Sequence, residues 1–126
     1  MTTEPAAPEW PPLSTSLRRG NLVFVSGMVP IDPATGQVRG STVEEQTEVV
    51  LGLLAAELQR QGATMADVVK TTVLLANAAS DWAAMNEVYG RHFPDPKPTR
   101  SAYGVELAQP GLLVEIEAIA IVGGEE

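Results

Sequence analysis

Arg100 and Glu115 are the two residues of this chain best suited to do chemistry together. Arg100 stands in Pro98-Thr99-Arg100-Ser101, directly after the stiff stretch Pro94-Asp95-Pro96-Lys97-Pro98. Glu115 stands in Val114-Glu115-Ile116-Glu117, inside the most apolar run of the chain, Leu112 to Val122. Carboxylates in such a run are costly to bury unless something pairs with them, and Arg100 is the expected partner. A guanidinium also offers a rigid fork that grips a ligand's carboxylate through two parallel hydrogen bonds. A structural ion pair of Arg100 with Glu106, Glu115 or Glu117 is the competing reading, because ion pairs outnumber sites. Glu115 and Glu117 are two residues apart on an expected strand, so they point the same way. Like charges this close raise one pKa, which suits a general acid or base. The plainer alternative is that both acids face solvent or cations across an interface.

Other chemistries find less support. Ser26-Gly27 ends an expected strand and could offer a hydroxyl and a close backbone approach to a ligand. As a nucleophile Ser26 needs a base, and the sole histidine, His92, belongs to the end of an expected helix beside Arg91. A Ser-His-Asp triad is therefore poorly supported. One histidine and no cysteine argue against a transition-metal site, and the lack of cysteine removes disulfides and thiolate catalysis. Gly36 and Gly40 lack the Lys-Ser/Thr pair that completes a phosphate loop.

These residues must be positioned by a small protein. The 126 residues fit one domain, expected over 13–126, with residues 1–12 as a flexible tail. The net charge is −8 and the eight basic residues form no run, which speaks against nucleic acid and against anionic membranes as partners. The N-terminus lacks the basic start and apolar stretch of a signal peptide, and a cytoplasmic location is the expectation.

The elements can be read from pattern. Asn21 to Ser26 is a strand, and Asp32-Pro33-Ala34-Thr35-Gly36 a turn. Ser41-Thr42-Val43-Glu44-Glu45 starts a helix with capping-box spacing, and Gly62 stops it. Val69 to Leu75 is a second strand. Ser80 or Asp81 is expected to cap a second helix that carries Trp82, Met85, Tyr89 and Phe93 into a core. Strands follow at about 99–107 and 112–122, and a further N-terminal strand is weakly patterned over 13–18. The order β-β-α-β-α-β-β makes an α+β layer, with two helices packed on one face of a mixed sheet. In the last strand Val114, Ile116, Ala118, Ala120 and Val122 share one face, while Glu115, Glu117, Ile119 and Ile121 share the other. Two helices cover one face only, so the other implies a partner subunit.

An ordered series of strings carries a resemblance over nearly the whole domain. It comprises Val25-Ser26-Gly27-Met28-Val29-Pro30, Asp32-Pro33-Ala34-Thr35-Gly36, Glu45-Gln46-Thr47, Asp67-Val68-Val69-Lys70-Thr71-Thr72-Val73, Met85-Asn86-Glu87-Val88-Tyr89, Pro98-Thr99-Arg100-Ser101 and Val114-Glu115-Ile116-Glu117-Ala118-Ile119-Ala120. The chain resembles the Rid family, the reactive-intermediate deaminases, also called the YjgF family. The resemblance implies a chorismate-mutase-like α+β fold assembled as a homotrimer, with ligand clefts between subunits and no cofactor. It implies hydrolysis of small 2-imino or enamine acids to 2-oxo acids and ammonia. Arg100 would bind the carboxylate and Glu115 would handle the attacking water. Gly27 and Ala102 would hold the ligand through their backbone, with Ser26, Leu13 and Asn86 completing the substrate-binding set. Deaminating members carry Gly-Pro-Tyr-Ser near the N-terminus; the matching stretch here is Pro11-Pro12-Leu13-Ser14, so a leucine replaces the tyrosine. That departure keeps a second reading in view, a non-catalytic regulatory trimer that binds small carboxylates.

Overall fold

The computed structural model describes residues 11–123. Of the tail expected over 1–12, residues 1–10 lie outside the described residues, and Pro11 and Pro12 are exposed. Five strands and two helices follow: β1 (Ser16–Arg19), β2 (Leu22–Met28), α1 (Val43–Arg60), β3 (Val68–Leu75), α2 (Ala78–His92), β4 (Thr99–Gly104) and β5 (Val114–Ile121). A short 3-10 turn, Met65–Asp67, leads into β3. The sheet order is β1-β2-β5-β3-β4. All neighbours are antiparallel except β3 and β4, which run parallel around the crossover helix α2. The expected α+β layer with both helices on one face is therefore observed.

α1 starts as its sequence demands. Thr42 accepts a hydrogen bond from the Glu45 backbone N–H, and the Glu45 carboxylate accepts one from the Ser41 backbone N–H. The chain leaves the helix through Gly62, whose φ of 81° favours glycine. Val43, Val50, Leu51, Leu54 and Leu58 form the buried stripe of α1, against Val23, Val25, Ile116, Ala118 and Ala120 of the sheet. Gln46 is also buried, and none of its polar atoms is wasted. Its amide donates to the Gly40 and Gly111 carbonyls and accepts from the Leu113 N–H.

Three expectations are corrected. α2 is capped at Asn77, three residues before Ser80, because the Asp81 N–H already bonds the Asn77 carbonyl. β4 ends at Gly104, where a Cβ would lie 3.0 Å from the Ala78 Cβ. β5 begins at Val114, since the Leu113 carbonyl accepts from the Ala76 N–H and its own N–H goes to Gln46.

Two irregularities bear on function. Val25 pairs with Ala118 and Met28 with Ile116, so β2 has one residue more than β5 at Ser26-Gly27, a β-bulge. The edge strand β1 is lashed to the end of α1. The Glu57 carboxylate accepts from the Thr15 and Ser16 hydroxyls, and Arg18 donates to the Gln61 carbonyl. Among the described residues no helix is long and apolar enough to cross a membrane.

Candidate active site

Arg100 lies on the helix-covered side of the sheet. It pairs across the parallel ladder with Thr71, which is fully buried. Its guanidinium runs along α2. Nη1 donates to the Asn86 Oδ1 at 2.7 Å, and the guanidinium carbon lies 4.9 Å from the Tyr89 ring centroid and 5.4 Å from that of Trp82. Trp82, Asn86 and Tyr89 are four and three residues apart, one face of the helix. Tyr89 is fixed in turn: its hydroxyl meets the Thr71 Oγ1 at 2.6 Å. Burial pushes the Tyr89 pKa up, against the smaller opposing pulls of the Thr71 hydrogen bond and the Arg100 charge.

The expected ion pair of Arg100 with Glu115 is not formed, nor one with Glu117 or Glu106. Among the described residues the ion pairs are Arg60–Glu57, Arg91–Glu48, His92–Glu48 and Lys97–Asp95. The reason is parity. Arg100 shares a row with Thr71, whereas Glu115 shares a row with Leu74, three residues further along β3 and facing the opposite way. Two strand spacings and three residue rises separate their Cα atoms by roughly 14 Å, with the side chains on opposite faces.

Glu115 sits on the open face. Its neighbours Val114 and Ile116 are fully buried beneath it, and its own carboxylate is half-buried. That carboxylate occupies the space over Gly27: a Cβ there would overlap the Glu115 Oε2 and lie 2.9 Å from its Cδ. Burial is the main cause that raises the Glu115 pKa, and the Glu117 charge adds to it. Glu117 itself is exposed on the same face.

The other expected residues divide between the two faces. Ala102 pairs with Val73 and packs on the core side with Arg100. Asn86 touches Arg100. Ser26 lies in the bulge; its hydroxyl donates to the Ser14 carbonyl at 2.6 Å, which ties the Leu13-Ser14 segment to β2. Leu13 is 57% exposed and lines an open-face concavity of about 500 Å³ with Leu17, Phe24, Lys70, Glu117 and Ile119. One set, Arg100, Ala102 and Asn86, is thus separated by the sheet from the other, Glu115, Gly27, Ser26 and Leu13. His92 is removed from both, bonded through Nε2 to the Glu48 Oε1 at 2.7 Å.

Sequence reasoning missed the aromatic seat of Arg100. The helical spacing of Trp82 and Tyr89 was legible but reads as core, whereas Trp82 is 42% exposed. Among the described residues no group of three or more His, Cys, Asp and Glu is placed to hold a metal ion.

Comparison with known proteins agrees with the fold. A family model described as Endoribonuclease L-PSP matches residues 3–122. A RutC family protein of Pyrococcus abyssi is 42% identical over 118 residues, which cover 94% of this chain and 92% of that protein. A Mus musculus protein named 2-iminobutanoate/2-iminopropanoate deaminase is 38% identical over 112 residues, 89% of this chain and 82% of that one. The crystal structure of E. coli TdcF with bound serine superposes with a TM-score of 0.80 at 31% identity, covering 90% of each chain. Motifs, sheet order and relatives converge over nearly the full length, and the chain belongs to the Rid (YjgF) family, whose model bears the endoribonuclease description.

Proposed function

We propose that the protein hydrolyses small 2-imino acids and their enamine tautomers to 2-oxo acids and ammonia, in a homotrimer whose sites lie between chains. The observation that carries this reading is Arg100. It is a half-buried cation held by one amide and two rings, with no carboxylate in ion-pair range among the described residues. Its remaining N–H groups suit the fork-to-fork grip of a small carboxylate. The deaminase name of the mouse relative and the serine bound to the bacterial one are in keeping with such a ligand.

The chemistry asks little of the protein. An imine carbon is already electrophilic, so fixing the substrate, holding a water and moving protons suffices. Glu115 takes a proton from the water as oxygen bonds to carbon. The C=N pair moves to nitrogen, which receives that proton from Glu115; the new hydroxyl then gives up its own proton as C=O forms, the nitrogen gains it, and ammonia leaves with the C–N bonding pair. A carboxylate with a raised pKa takes the proton of the water more readily than an ordinary one. Backbone groups of Gly27 and Ala102 hold the ligand, Asn86 fixes Arg100, and Leu13 and Ser26 border the cleft.

Assembly supplies what one chain lacks. The open face exposes Leu17, Leu22, Phe24 and Ile121, and both helices cover the other side. Packing that face against the β4 edge of a second copy brings the Glu115 set to the Arg100 set. A head-to-tail contact of this kind gives a ring where its rotation closes, as the proposed trimer requires. RNA is a poor substrate for a chain of net charge −8.

The test is imine hydrolysis with an amino-acid oxidase generating the imine in place, read as 2-oxo acid formed above the spontaneous rate. Acceleration supports the proposal. No acceleration with 2-oxobutanoate binding retained favours the second reading, a carboxylate-binding regulatory trimer, to which the apolar Leu13 points. A stable monomer by light scattering sinks the intersubunit site in either reading.

A further inference from the structure

We propose that Trp82 is a positioning residue for Arg100, the exposed plate of an aromatic clamp that fixes the guanidinium plane for carboxylate binding. The inference rests on the reading of Arg100 as the carboxylate anchor.

The core does not account for Trp82. On the same helix stripe Tyr89 is 6% exposed and Phe93 2%, while Trp82 is 42% exposed. An indole with 42% of its surface in solvent at the first turns of α2 gains less from burial than Tyr89 or Phe93 does. What it does touch is the guanidinium, at 5.4 Å from the ring centroid. Tyr89 lies under the same guanidinium at 4.9 Å and is itself locked by Thr71. Asn86, between them on the helix, receives Nη1. Arginine carries several rotatable bonds, and each free one lowers affinity by the entropy lost when a ligand binds. Two ring faces and one amide remove most of that freedom before the ligand arrives. Both rings attract the cation without neutralising it, whereas a carboxylate in their place would compete with the substrate. Asn86 accepts through one oxygen only, so the other guanidinium nitrogens stay available.

The clamp also explains why the site tolerates an edge strand. β4 is bonded on one side, to β3, and its outer edge has no strand neighbour among the described residues. Side chains at such an edge are usually the most mobile of a sheet. Arg100 escapes this because α2 holds its head while β3 holds its backbone.

The experiment is calorimetric titration of 2-oxobutanoate into the assembled wild type, R100A, W82F and W82A, with KM and kcat measured alongside if the wild type turns over. Expected is loss of binding in R100A, about 3- to 30-fold weaker binding in W82A, and near-wild-type binding in W82F, whose ring preserves the face. In W82A the loss should fall on KM, because Glu115 is untouched. W82A that binds like the wild type, while R100A does not, overturns the clamp and leaves the function standing. R100A that binds like the wild type removes the carboxylate anchor and the clamp together. Should W82A fail to fold, the W10F chain, with Trp82 as its sole tryptophan, provides the second readout. Its emission should change with 2-oxobutanoate and saturate at the calorimetric Kd. Emission that ignores a ligand shown to bind by calorimetry overturns the proposal.

Discussion

The two faces of one sheet hold opposite charges in opposite ways. On the helix side Arg100 is gripped by an amide and two aromatic rings, neutral groups that orient a cation and leave it unpaired. On the open side Glu115 has no polar partner among the described residues; it fills the place a side chain would take at residue 27, next to another acid. The first environment keeps a charge and orients it, as the proposed carboxylate anchor requires. The second makes a charge uncomfortable, and so raises the pKa of the carboxylate above its ordinary value. The contrast teaches that the two roles proposed for these residues, anchoring an anion and handling a proton, call for different kinds of support, and that one strand order holds both environments.

The comparison can be broken at four points. The largest effect is expected from E115Q, which keeps shape and removes basicity. Turnover should fall by about 10²–10⁴-fold with KM little changed. R100A should weaken 2-oxobutanoate binding by about 10²–10³-fold while the thermal midpoint stays near that of the wild type. If the mutant instead unfolds, Arg100 is a structural cation. G27A is the next test. Gly27 does not adopt a positive φ, so alanine meets no backbone objection there and its Cβ collides only with the Glu115 carboxylate. Displacing that carboxylate by about an ångström should cost roughly 10- to 100-fold in turnover. Unchanged kinetics in G27A would mean that Glu115 acts from another position.

The smallest effect is a shift in pH dependence. With the Glu115 pKa raised, the active carboxylate form should be lost as pH falls through a value above the ordinary carboxylate range. E117Q removes the second cause of that rise and should move the acid limb of kcat to lower pH. A limb that does not move assigns the whole shift to burial. Stability carries the two signs as well. The raised Glu115 favours the folded state below the ordinary value, a contribution lost as pH rises through its folded pKa. Glu48, lowered chiefly by the His92 hydrogen bond and then by Arg91, contributes above the ordinary value and loses this as pH falls.

Much of the fold was legible, because period and caps are local properties. The alternation of β5 is seen directly: Val114, Ile116, Ala118 and Ala120 are buried, and Glu115 and Glu117 face away. The α1 start and its glycine stop stand where the capping residues put them. What failed was relational. Each strand's own alternation was readable, but which face of β4 matches which face of β5 depends on a β3 that lies between them. Arg100 and Glu115 were therefore identified as a pair and found on opposite sides. Trp82 failed for a related reason. Helical spacing gives the stripe, yet only the position of α2 over the edge strand decides which end of the stripe leaves the core.

The parity of β4 and β5 has a genetic consequence. If every site takes its arginine from one chain and its glutamate from the next, R100A and E115Q chains damage different halves. Each mutant alone should be inactive. Unfolded together and refolded at equal amounts, they should complement, because a site inheriting the intact arginine and the intact glutamate arises with a probability of roughly one quarter in a ring assembled at random. Recovered activity near that fraction would mean that the unit of function in this protein is the contact between two copies. A doubly mutated chain mixed with wild type would show the same rule from the other side, since it spoils two neighbouring sites for each place it takes.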